Sequence, residues 1–138
     1  MNMTVEHAEG RVPVTILALN GALDASTFEA VVAKGKELYL SGSRRLLLDM
    51  SNLSFMSSSG VVAVHSIIMV YRGGEPHDPE SGWEAFHAID RDRASGRQDL
   101  VKILNPQSKV RLTLQKTGMD QFCEIHSDLK AAVDSFSI

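Results

Sequence analysis

A single cysteine, Cys123, stands in a chain of 138 residues, which excludes an internal disulfide and a cysteine zinc cage. Its apolar, strand-like surroundings read as those of a buried structural thiol rather than a reactive one. The five histidines are scattered, so no metal site is expected. No apolar run outlasts the segment Val61–Tyr71, which falls short of the ~20 residues a membrane span needs. The first residues, Met1–His7, have neither a basic n-region nor an apolar h-region, so no signal peptide is expected either. These absences predict a cytoplasmic protein without membrane insertion. There is no excess of positive charge: 14 Lys and Arg against 17 Asp and Glu give a net charge of −3, which argues against a nucleic-acid binder. No internal repeat occurs, and no cofactor is implied. The apolar fraction of 43% and the length suit one domain with a proper core.

Against these absences one stretch stands out. Leu46-Leu47-Leu48-Asp49 is an apolar run that ends in a carboxylate, as a strand buried on both faces would. A polar turn follows, and then Ser57-Ser58-Ser59-Gly60 leads into the apolar segment Val61–Tyr71. That segment is too long for most strands and suits a buried helix. Three hydroxyls then sit at a helix N-terminus, where unpaired N–H groups and the positive end of the dipole gather. This tip is the expected working end of the molecule.

The rest of the chain alternates strands and helices. Residues 3–7 are a weak strand candidate. Val12 to Leu19 is a better one, with Pro13 near its start and Asn20-Gly21 ending it. Ser26 and Glu29 have capping-box spacing, with Asp24 a rival cap. Phe28, Val31, Val32, Leu38 and Tyr39 then recur at helical spacing up to Ser41-Gly42. Val101–Leu104 is a short strand. Asn105-Pro106 reads as a cap and first helical position, for a helix with Val110 and Leu114 on one face. Phe122–Ile125 is a last strand. Ser127 or Asp128 caps a final helix with Leu129, Ala132, Val133 and Phe136 facing inward. The pattern predicts an α/β fold, a mostly parallel central sheet of about 4–5 strands with about four helices. Its functional loops, Asn20–Asp24, Ser51–Gly60 and Asn105–Pro106, gather at the carboxyl ends of the strands. Residues 72–99 fit poorly: rich in Gly, Pro and mixed charge, they read as a variable, mobile insertion. The other reading makes Trp83, Phe86 and Ile89 a short helix that docks on the domain.

Catalysis finds little support. A serine-hydrolase elbow needs glycines on both sides of its serine, and Met56-Ser57-Ser58-Ser59-Gly60 has one. His65 lies two turns beyond Ser58, about 10.5 Å along a helix at ~1.5 Å per residue, too far for a nucleophile–base pair. It reads as a satisfied core residue. His126, at the end of another strand, is not excluded by spacing. Neither phosphate-loop signature, G-x-x-x-x-G-K-[ST] or G-x-G-x-x-G, is present. Capping needs one hydroxyl and the tip has three, so the sharper reading makes one of them a phosphorylation target. A phosphate there adds about −1.5 to −2 charges, which the fold tolerates at a helix N-terminus and a docked partner does not.

Four stretches together resemble the STAS-domain family, in particular the bacterial anti-sigma-factor antagonists: Gly21-Ala22-Leu23-Asp24; Leu47 to Met56; Ser58-Ser59-Gly60; and Asn105-Pro106 with Lys109-Val110 and Thr117-Gly118-Met119-Asp120. The resemblance covers nearly the whole chain except residues 72–99, and implies a single STAS domain over 1–138. The family's switch reads Asp-Ser-Ser/Thr-Gly, with the first serine phosphorylated. Ser58 matches that serine, with Ser57 and Ser59 as alternatives, while Ser57 stands where the family has aspartate. The resemblance implies partner switching by a non-enzyme. The unphosphorylated protein binds a serine-kinase anti-sigma factor, the kinase phosphorylates Ser58 and releases it, and a phosphatase resets it. Asp24, Met56, Ser57, Ser59, Gly60 and Val61 are then the expected partner-binding residues. The alternative is a STAS scaffold or ligand-sensing module that is never phosphorylated.

Overall fold

The computed structural model describes residues 1–78, 82–94 and 96–137, leaving aside the side chains of Trp83 and Arg93. In chain order the elements are β1 (Asn2–Glu9), β2 (Pro13–Leu23), α1 (Phe28–Leu40), β3 (Leu46–Asp49), β4 (Leu53–Met56), α2 (Ser58–Tyr71), α3 (Gly82–Ala94), β5 (Gln98–Leu104), α4 (Ser108–Lys116), β6 (Cys123–His126) and α5 (Leu129–Ser135), with a 3-10 turn at Met119–Gln121. The sheet runs β1-β2-β3-β5-β6, with β4 paired to β2. Only β1 is antiparallel to its neighbour. The mostly parallel α/β fold is the expected one, with one strand (β4) and one helix (α3) beyond the expected counts.

Alternation along the strands divides the core. Leu17, Leu19, Leu46, Leu48, Val101 and Ile103 face α1, α2, α3 and α4. Val14, Ile16, Leu47 and Leu104 face the other way, against Ala132, Val133 and Phe136 of the C-terminal segment. Both sides of β3 are therefore covered, which is why it reads as an unbroken apolar run. α2 is buried almost all round, from Gly60 to Ile68 and again at Val70 and Tyr71, so it reaches solvent chiefly through its first turn.

Several local expectations are corrected. Asn20-Gly21 does not end β2. The strand bulges between Gly21 and Ala22 and changes partner, pairing with β3 through Thr15–Ala18 and with β4 through Gly21–Leu23. Gly21, at φ 119°, permits the kink. The Ser26–Glu29 capping box does not form, because Ser26 donates both its N–H and its hydroxyl to Asp24 Oδ1, at 2.9 and 2.6 Å. Thr27 is the cap of α1, without a side-chain bond to the helix's own N–H groups. Asn105 is no cap either. It sits at φ 52°, its N–H donating to the His126 carbonyl at 2.7 Å and its Nδ2 to Ser51 Oγ at 3.1 Å, while Gln107 precedes α4. Of the two candidates for α5, Asp128 caps it, accepting from the Ala131 N–H at 2.9 Å. Leu129 is half exposed rather than inward-facing. Within residues 72–99, α3 docks on α2 with Ala85 and Ile89 buried and Phe86 packed beside them. The side chain of Trp83 lies outside the described residues.

Candidate functional site

The three loops expected to share the carboxyl edge of the sheet do meet. Asp49 Oδ1 accepts from the N–H and hydroxyl of Ser51, at 3.0 and 2.6 Å, closing the turn after β3. Ser51 in turn accepts from Asn105 and, through its carbonyl, from Gln107 Nε2 at 2.8 Å. Ser54 Oγ reaches the Gly21 carbonyl at 3.0 Å. Thr113 Oγ1 of α4 reaches the Met56 carbonyl at 3.3 Å.

Ser57 is the joint of this edge. Its N–H donates to the Leu23 carbonyl at 3.0 Å, tying it to the end of β2. Its extended backbone and its Oγ, which accepts from the Gly60 N–H at 3.3 Å, make it the cap of α2. The capping expectation therefore falls on Ser57, and the other two hydroxyls are free of that task. Ser57→Ala should cost ~1 kcal/mol of unfolding free energy, readable as a lower urea midpoint with an unchanged slope. No loss at all would remove the cap.

The chemistry of the tip follows from exposure. Ser58 is exposed, Ser57 and Ser59 are partly so, and Gly60 is buried. Ser58 sits in the first turn of α2, which carries no acidic residue. A negative group there would meet the positive end of the helix unopposed from within it. Asp24 stands just beyond the Leu23 carbonyl that holds Ser57. The Ser26 hydroxyl is the main cause holding its carboxyl below the usual range. Thr27 Oγ1 locks the same loop, accepting from the Asp24 N–H and donating to the Ala22 carbonyl, both at 3.0 Å.

The structure sorts the expected partner-binding residues into two sets. Asp24, Ser57 and Ser59 reach the surface. Met56, Gly60 and Val61 lie in the core, Val61 with no exposed area, so they lie beneath the surface of the tip instead of forming it. On β4 and α4, which meet at this edge, two exposed apolar side chains escaped the sequence reading: Phe55 and Leu112, each 49% exposed. Phe55 is hidden because the stretch between Asp49 and the serines reads as a polar turn, although a large apolar residue beside the serines is the available signal.

The histidines are elsewhere. β6, which ends in His126, is three strands from β2, about 14 Å at ~4.8 Å per strand, so His126 and the serine tip are not brought together. His65 is wholly buried, with both ring nitrogens engaged. Cys123 is buried, its thiol donating to the Val101 carbonyl at 3.1 Å, and burial pushes its pKa up to about 12. Among the described residues no cluster suits a metal ion, and no helix is long and apolar enough to cross a membrane. A hollow of about 460 Å³ lies at the opposite end of the sheet, lined by His7, Pro13, Thr15, Ser43, Arg44 and Arg45.

Comparison with known proteins gives the family. The STAS domain model matches residues 5–75. The unphosphorylated anti-sigma factor antagonist SpoIIAA is 22% identical with a TM-score of 0.59, over 96% of this chain and 94% of that one. An anti-sigma factor antagonist from Mycobacterium paratuberculosis is 16% identical with a TM-score of 0.64, over 96% and 90%. The phosphorylated form of SpoIIAA, described as a Bacillus cell fate determinant, is 22% identical with a TM-score of 0.55, over 96% and 97%. At these identities the likeness is one of fold. No curated protein matches the chain in sequence.

Proposed function

We infer the function from one premise: the chain belongs to the STAS domain family. On that premise it acts as an anti-sigma-factor antagonist, binding a serine-kinase anti-sigma factor while unphosphorylated and released when Ser58 is phosphorylated. The observation that carries this reading is an exposed hydroxyl at the N-terminus of a helix otherwise buried nearly all round. The transfer moves the γ-phosphoryl group of the kinase's ATP to Ser58 Oγ. The bond from phosphorus to the ADP oxygen breaks, an O–P bond forms, and the serine proton leaves to a base on the kinase. A phosphatase returns the hydroxyl by hydrolysis.

The switch acts on binding and spares the fold. The helix end accommodates the new charge, and the Ser57 cap beneath it uses a different hydroxyl. A protein docked on the tip has to desolvate a dianion, and an unpaired charge buried in an interface costs ~2–5 kcal/mol. Asp24, Ser57, Ser58 and Ser59 offer polar contacts, while Phe55 and Leu112 offer the apolar seat at the centre of such interfaces. Ser57, in the family's aspartate position, keeps a cap without a second negative charge beside Ser58.

In a titration against the purified serine-kinase anti-sigma factor, Ser58→Ala should bind as wild type does. Ser58→Asp should bind at least about ten-fold more weakly, ~1.4 kcal/mol. Equal affinities for the two variants would take Ser58 out of the mechanism. After incubation with ATP and that kinase, phosphopeptide mass spectrometry should place the added group on Ser58 rather than Ser57 or Ser59. The second reading, a ligand-sensing module that is never phosphorylated, is favoured by the hollow beside Arg44 and Arg45. It predicts no phosphopeptide under the same conditions.

A further inference from the structure

α3 and the segment before it present two titratable groups to one buried histidine on α2. His65 has no exposed area. Its Nδ1 lies 2.7 Å from His77 Nε2, and its Nε2 lies 2.7 Å from Asp92 Oδ2 on α3. The His77 main-chain N–H donates to Ser66 Oγ at 3.0 Å, fixing the backbone that carries the second imidazole to the next residue of α2. Among the described residues, the charged and titratable groups facing His65 are His77, Asp92 and Arg72, whose Nη1 is 3.7 Å from Asp92 Oδ2. Between the 3-10 turn and β6, the neutral Phe122 ring is centred 5.8 Å away.

A proton count follows from the geometry. With both imidazoles neutral, His65 donates from Nε2 to Asp92 and accepts at Nδ1 from His77 Nε2. With one proton added, the pair still shares a single hydrogen across its gap, and the Asp92 carboxylate balances the charge. With two added, both facing nitrogens carry hydrogens, and a 2.7 Å separation has room for one. Among the described residues the doubly charged pair also stands beside Arg72, which adds a positive charge next to the Asp92 carboxylate.

We propose that His77, His65 and Asp92 form a one-proton clasp that holds α3 on α2 and opens when both imidazoles are protonated, so that docking of α3 is acid-labile. Burial is the main cause holding both imidazoles below their ordinary value of 6.5. A histidine depressed in the docked state favours docking fully above that value and loses the contribution as pH falls through it. Opening removes Ala85 and Ile89 from the core and uncovers the side of α2 they cover, while the sheet keeps its own bonds. The clasp stands independently of the role given to Ser58.

Amide hydrogen exchange on the full chain, corrected for the intrinsic rate at each pH, tests this. Protection of residues 84–92 should fall by about ten-fold or more between about pH 7.5 and pH 5.5, while β3 and β5 keep theirs. His77→Gln retains an N–H donor for His65 Nδ1 but cannot take the second proton, so its α3 should stay protected at both pH values. Glutamine also leaves the Ser66 bond to the main chain intact. Unchanged protection of α3 in the wild type overturns the proposal. So does an equal loss in His77→Gln, or a loss shared by the whole sheet.

Discussion

Alanine at Gly60 is expected to lower the unfolding free energy by ~3 kcal/mol, the cost of overpacking a tight core site. A Cβ there would stand 2.6 Å from the Leu23 carbonyl oxygen, 2.9 Å from Met56 Cγ and 3.1 Å from Leu23 Cγ. The first of these is backbone, and it cannot step aside freely because it accepts the Ser57 N–H at 3.0 Å. Moving it also strains the Leu23–Met56 pairing of β2 with β4. The better helix propensity of alanine, ~1 kcal/mol, offsets only the weakening of the Ser57 cap, of similar size. Gly35→Ala is the comparison. Its Cβ would also meet a neighbour closely, Ile67 Cγ1 at 2.8 Å, but a side chain in a helix–helix contact can shift, so ~1 kcal/mol is expected there. Urea denaturation of the two variants separates the effects. Should Gly60→Ala unfold within ~0.5 kcal/mol of wild type, the Leu23 carbonyl is not the fixed wall described here. The same wall helps fix the first turn of α2, and with it the place of Ser58.

What the sequence discloses about this region depends on how local each cause is. β3 and α2 are plain in it because burial on both faces of a strand, or all round a helix, leaves a continuous apolar run. The serine tip is plain because caps and dipoles are local. β4 is not, since only Leu53 and Met56 turn inward while Ser54 and Phe55 are exposed, so no alternation marks it. Asn105 carries the side chain of a cap. Its left-handed backbone answers instead to Ser51 and His126, far off in sequence. The cap of α1 was misplaced because Asp24 takes Ser26 for its own turn. His65 reads correctly as a satisfied core residue, but its partners at 77 and 92 arrive from a segment whose mixed charge hides its fold.

The same division shows how the tip is held. Ser57 holds the helix, Gly60 admits the end of β2, and Val61 anchors the turn in the core. With the cap assigned to Ser57, the phosphorylation proposed for Ser58 would leave that bond untouched. A site whose hydroxyl also capped the helix would couple every phosphorylation to a loss of stability of ~1 kcal/mol.

Removing Glu124 should destabilise the other face of the sheet by ~2 kcal/mol, less than breaking a fully buried ion pair costs, because Lys102 is buried but Glu124 is 29% exposed. Lys102 is 2% exposed on β5, and its Nζ donates to Glu124 Oε2 at 3.1 Å and to the carbonyl and Oγ of Ser135 at 3.1 and 3.0 Å. Its ammonium also lies 4.7 Å from the Phe136 ring centre. Glu124→Ala leaves a buried cation with neutral partners only. Lys102→Met together with Glu124→Ala removes both charges and should recover most of the loss, as apolar replacement of buried pairs does. The pair has an acid signature. Partial burial raises the Glu124 carboxyl, but the Lys102 hydrogen bond and charge outweigh it and hold it below its ordinary 4.5. His126 Nε2 helps from 3.3 Å, although not aligned as a hydrogen bond. A carboxyl depressed by folding stabilises fully above that ordinary value, and its contribution is lost as pH falls through the folded one. The stability gap between wild type and Glu124→Ala should therefore be full at about pH 7 and shrink below about pH 4. The histidine clasp acts on α3 alone, so the two acid transitions should separate in the elements that lose protection. A gap as wide in strong acid as at neutrality would mean that Glu124 stabilises by packing rather than by its charge.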